Sequence, residues 1–109
     1  MKVKEELKDC FDKEIWSIIV DYINTNHAFF SMTGVKYTAK IVGEKVYFRG
    51  GRENSPLAIA GEIVSKSQFI TAYKAIKNLE QINTKTVKTF IEKNHSPFVG
   101  LLTSAGIIS

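Results

Sequence analysis

Lys36, Lys40, Tyr47, Arg49 and Arg52 interleave four cations with one phenol ring in a short stretch of the chain. Cations at this spacing can neutralise phosphates, and a ring among them can stack on a base. Lys85, Lys88 and Lys93 repeat the positive charge further along. These residues form the candidate nucleic-acid-binding set. Such contacts release counterions and bind with little sequence preference. A solvated sheet face also produces this pattern, because lysines on strands discourage edge-to-edge aggregation.

Other groups support less chemistry. Gly50-Gly51-Arg52 could present backbone N–H groups to a phosphate. No helix is expected to open directly after it, and the Lys-Ser/Thr ending of a P-loop is missing, so a loop is the simpler account. His95 stands beside Ser96. Covalent catalysis needs a nucleophile, a base and an orienting carboxylate that converge, and neighbours at a helix start seldom aim at one another. Ser96 is therefore expected to be an N-cap and His95 a turn residue. His27 and His95 lie too far apart in sequence to suggest a metal pair, and Cys10 is the one cysteine. Asp12, Glu14 and Asp21 fit a solvated helix face. No catalytic residue, metal ligand or cofactor is expected, and the chain reads as a non-enzyme.

The elements that must position these groups follow from hydrophobic periodicity. Leu7, Cys10, Phe11, Ile15, Ile18, Ile19, Tyr22 and Ile23 recur at helical spacing and predict one long amphipathic helix over 4–24, with Trp16 and Val20 on its flank. Val35, Tyr37, Ala39 and Ile41 alternate with Lys36, Thr38 and Lys40, which predicts a hairpin over 35–50. A two-residue Gly43-Glu44 turn would pair Ile41 with Val46 and Ala39 with Phe48 on an apolar face. It would pair Lys40 with Tyr47 and Thr38 with Arg49 on the basic one. Leu57–Ile63 is expected to return as a third strand, with a bulge or turn at Gly61. The run His27–Met32 is read as core aromatics, with an interface patch as the alternative.

Three helices should close the chain. Ser65-Lys66-Ser67-Gln68 has the form of a capping box and opens a helix to about Leu79, with Phe69, Ala72, Tyr73 and Ile76 inward. Asn83 or Thr84 caps a second helix bearing Val87, Phe90 and Ile91. Ser96-Pro97 starts a third, with Phe98, Leu101, Leu102 and Ala105 apolar and Gly106 at its end. The pair over 84–105, joined by a short turn at Lys93–Ser96, has helix-turn-helix spacing. Its second helix would show DNA only small residues, Ser96, Gly100, Thr103 and Ser104. It carries no Arg, Asn or Gln for bidentate base contacts. An ordinary helical hairpin explains the pair more simply.

The 109 residues fit a single α+β domain, 1–109. At 44% hydrophobic and 24% charged, the composition is that of a folding chain rather than a disordered one. The net charge of +4 is uneven: residues 1–23 carry four lysines against six acids, whereas residues 63–109 carry six lysines against two. An unpaired cysteine suits a reducing compartment, and a charged Met1–Glu6 lacks the apolar core of a signal peptide. No apolar run approaches the ~20 residues of a membrane span. The expectation is a small cytoplasmic binding module whose basic surface suggests nucleic acid as its partner. The alternative is a protein-interaction module, an accessory factor or inhibitor of a larger machine.

Overall fold

The computed structural model describes residues 1–91 and 95–109. Its elements are a 3-10 turn (Glu5–Leu7), α1 (Asp12–Asn26), β1 (Ala28–Phe30), β2 (Lys36–Ile41), β3 (Lys45–Gly50), α2 (Pro56–Ile59), β4 (Glu62–Ser65), α3 (Lys66–Ile76), α4 (Thr84–Val87) and α5 (His95–Ser104). The class is α+β, with an N-terminal helix, a four-stranded antiparallel sheet in the order β1-β2-β3-β4, and C-terminal helices. The expected two or three strands fall short of the four present.

The β2–β3 hairpin has the register that alternation predicts. Ile41 opposes Val46, Lys40 opposes Tyr47, Ala39 opposes Phe48, and Thr38 opposes Arg49. Reciprocal backbone bonds between Val42 and Lys45 close the Gly43-Glu44 turn. Period two sends Tyr37, Ala39, Val46 and Phe48 to the inner face, where all are buried. Across that face Trp16 of α1 meets Phe69 of α3 edge-on at 6.0 Å, and Phe69 packs on Phe98 of α5 at 4.8 Å. The core therefore lies between the inner sheet face and these three helices.

The long N-terminal helix is corrected to two pieces. Phe11 is extended at the N-cap of α1, and residues 2–4 pair with the other end of the chain: Val3 bridges Ile108, and Lys4 N–H donates to the Ile107 carbonyl at 3.0 Å. That pairing buries Val3, Ile107 and Ile108. Helical periodicity misses the break because Leu7 and Cys10 are still half-buried, whereas Phe11 is left exposed. At the other end α1 reaches Asn26, and His27 ends it in the left-handed region.

The third strand is also displaced. Ser55 caps α2 by accepting from Ala58 N–H, with Pro56 at the helix start, so Leu57–Ile59 turn helical and β4 begins only at Glu62. The sequence reading gave this Ser-Pro role to Ser96-Pro97. There, α5 already runs from His95, so Ser96 is a helical residue rather than the N-cap, and His95 is not a turn residue. Ser65 is the expected cap: its hydroxyl accepts from Gln68 N–H at 3.1 Å while Gln68 Oε1 accepts from Ser65 N–H at 3.0 Å. Asn83 caps α4 in the same way with Thr86.

The helix-turn-helix reading does not survive α5. Pro97 through Leu102 are all buried, Gly100 among them, so this helix is a core element and of its described residues only Ser104 is exposed. At Gly100 it comes close to the end of β1: a Cβ there would stand 2.9 Å from the Phe30 carbonyl oxygen. α4 is a single turn packed on α5; Val87 is buried but Phe90 is exposed. The expected turn at Lys93–Ser96 falls partly on residues 93 and 94, outside the described residues.

Candidate functional site

The outer face of the sheet collects the hairpin part of the basic set. Lys36 and Lys40 project from β2, and Lys45, Tyr47 and Arg49 from β3, opposite to the buried positions. β1 adds Phe30, directly across from Lys36, and β4 adds Ile63, directly across from Tyr47. The outward strand positions carry four cations and no carboxylate. Among the described residues the ion pairs are Lys2–Glu5, Lys8–Glu5 and Lys74–Asp12, so none draws on this face.

These side chains differ in what they are free to do. The Tyr47 hydroxyl donates to the Ala60 carbonyl at 2.9 Å, and Lys40 Nζ sits 5.1 Å from the centre of its ring. Arg49 Nε and Nη2 donate to the Ala58 and Ile59 carbonyls, each at 3.1 Å. Those carbonyls belong to the end of α2, where a cation also meets the negative end of the helix. Tyr47 and Arg49 therefore hold the α2 segment against β3. Arg49 keeps its charge, but its donors are engaged. Lys36, Lys40 and Lys45 are the cations on this face with ammonium groups left to solvent.

The other described members of the set are not on these strands. Lys85 and Lys88 are exposed on or just after α4, which packs on α5, and α5 in turn packs on β1. They share no element with the hairpin lysines. Lys93 lies outside the described residues. Arg52 leaves the sheet altogether and lines a cleft of about 660 Å³ at the end of β3.

That cleft joins two motifs far apart in sequence. Gly50, Gly51 and Arg52 line it together with Tyr37, Glu62 and, at the start of α5, His95 and Ser96. Gly50 is needed there because a Cβ would press on the Lys36 carbonyl and Tyr37 Cα, both at 2.9 Å. His95 Nδ1 is buried with no hydrogen-bond partner among the described residues. The cleft lining holds one cation, Arg52, and one acid, Glu62, beside the apolar Val35, Pro56, Leu57 and Pro97.

Elsewhere, no group of three or more His, Cys, Asp or Glu that could hold a metal occurs among the described residues. The Cys10 thiol is pushed up from its ordinary pKa, first by desolvation, then by its hydrogen bond with Glu14 and the negative charges of Glu14 and Asp9. It is a weak nucleophile at neutral pH. No helix among the described residues is long and apolar enough to cross a membrane.

Sequence reasoning missed Phe30 and Lys45 as members of the outer face. Lys45 was legible from the hairpin alternation. Phe30 was not, because its direction depends on β1, a three-residue strand with no alternation of its own to read. Comparison with protein-family models, curated proteins and solved structures finds no match to this chain.

Proposed function

We propose that this protein is a small, non-enzymatic binding module that holds nucleic acid against the outer face of its sheet. One observation carries the reading: the outward strand positions bear Lys36, Lys40, Lys45 and Arg49 with no carboxylate among them. Lys36 and Lys40 stand four residues apart on one strand, a separation of about 13 Å at ~3.3 Å per residue. They can therefore meet different phosphates of one backbone. Lys85 and Lys88, on or just after α4, are not among these strand positions.

The test is fluorescence anisotropy with a labelled oligonucleotide across roughly 50–200 mM salt. The double variant Lys36→Glu, Lys40→Glu should weaken binding for all sequences alike. Its salt slope should flatten by about 1.4 if both lysines meet phosphates of a single strand. No binding by the wild-type protein at low salt, or an unchanged slope in the variant, overturns the proposal. Arg49→Glu is unsuited to this test because it also releases α2. A protein-interaction module is the second reading, favoured by Ile59 and Ile63, which are exposed beside the β4 edge of the sheet.

A further inference from the structure

We infer that Phe30 is a base-stacking platform and that the nucleic acid this face takes is single-stranded. The inference rests on the reading above and adds a ligand class and a residue to it. Phe30 is 57% exposed, although removing a phenyl ring from water is favourable. It stands on the cation-rich face, directly across from Lys36. A ring beside an ammonium group matches a base beside its phosphate.

The backbone beneath the ring is tied down. Phe30 is held by the β1–β2 ladder, and its carbonyl abuts the backbone of α5 at Gly100. Its ring can therefore accept a base with little ordering cost. The other ring on this face is unsuited to the role: Tyr47 is tied through its hydroxyl to Ala60 and overlain by Lys40. Duplex is disfavoured by shape. Four strands at ~4.8 Å spacing make a surface about 14 Å across before side chains are added. A major groove is ~12 Å wide. Base faces inside a duplex are also already stacked, so Phe30 could reach them only in a single strand.

The experiment compares wild type, Phe30→Ala and Phe30→Trp for binding to a labelled oligothymidylate and to a hairpin duplex of equal charge. Phe30→Ala should lose about 5- to 150-fold in single-strand affinity, the range for one stacked base. Its salt slope should be unchanged, because no phosphate contact is removed. Phe30→Trp should retain binding, and its new indole fluorescence should be quenched as the oligothymidylate is added. The native Trp16 is buried and serves as a constant background. Wild type should prefer the single strand to the duplex. If Phe30→Ala binds like wild type while the lysine double variant does not, stacking is refuted and the charged face stands. If wild type prefers duplex, the single-strand assignment is refuted. If wild type binds neither probe, both readings fall together.

Discussion

Phe29 and Phe30 are neighbours on β1 with opposite surroundings. Phe29 points inward, 2% exposed, stacked on Tyr37 at 5.8 Å and edge-on to Phe48 at 6.0 Å. Phe30 points outward beside Lys36. The difference extends across the sheet. Inward positions are aromatic or aliphatic, Glu62 opposite Phe48 excepted, and are packed on by α1, α3 and α5, whereas the outward ones include Lys36, Lys40, Lys45 and Arg49 beside Phe30 and Ile63, with α2 folded back onto Tyr47 and Arg49. Two faces of the same strands thus divide the work. One supplies burial, the dominant favourable term in folding. The other is left for solvent or a ligand, and substitutions there should cost little stability.

The sharpest test of that division is a matched pair of truncations. Phe48→Ala on the inner face, fully buried, should cost about 3–5 kcal/mol in a urea titration. That is a large part of the ~5–15 kcal/mol typical of a domain. Phe30→Ala should cost under about 1 kcal/mol, since it leaves no buried cavity. Equal losses would mean that the faces are not distinct.

Gly100→Ala probes how closely α5 approaches the inner side. The added methyl would meet the Phe30 carbonyl oxygen at 2.9 Å and the Ser31 Cα at 3.1 Å, both backbone atoms with little room to move. Overpacking of this kind should cost about 1–3 kcal/mol, although alanine is the better helix former. A gain in melting temperature would place α5 further from β1.

The two serines give a smaller contrast. Ser65→Ala should cost about 1 kcal/mol, because its hydroxyl satisfies Gln68 N–H at the start of α3. Ser96→Ala, inside α5, should stay within about 0.5 kcal/mol. A loss at Ser96 as large as that at Ser65 would restore its assignment as a cap.

At neutral pH the smallest effect is expected from Tyr73→Phe. The Tyr73 hydroxyl is buried without a partner among the described residues, and its pKa is pushed up to about 12 by desolvation, with smaller contributions from Cys10 and Asp12. The unfolded phenol ionises near its ordinary value of 10.0. Between these two values the unfolded state binds fewer protons than the native state, so stability falls as pH rises through that window. Tyr73→Phe should be neutral or slightly stabilising at pH 7, since it removes an unpaired buried polar group. It should lose less stability than wild type from about pH 10 to 12. Parallel pH curves for the two proteins would show that the hydroxyl has a partner or reaches water.

The sequence alone determined the features set by neighbours in the chain. The hairpin register follows from strict alternation around Gly43-Glu44, and the capping box at Ser65 from two groups three residues apart. Both are written in short-range hydrogen bonding and in the period of the strand. From them came the basic face, with Lys36 and Lys40 outward. Tertiary structure decided what depends on distant partners. It chose Ser55-Pro56 rather than Ser96-Pro97 as the capping pair, because two similar dipeptides differ only in what packs around them. It began α1 at Asp12 rather than at residue 4 and paired Lys2–Lys4 with Ile107–Ser109, a contact no local pattern records. Arg49 was committed to carbonyls that stand there only once α2 has folded back. Phe30 was turned outward by a three-residue strand too short to carry a period of its own, whose direction comes from pairing with β2 and packing beneath α5.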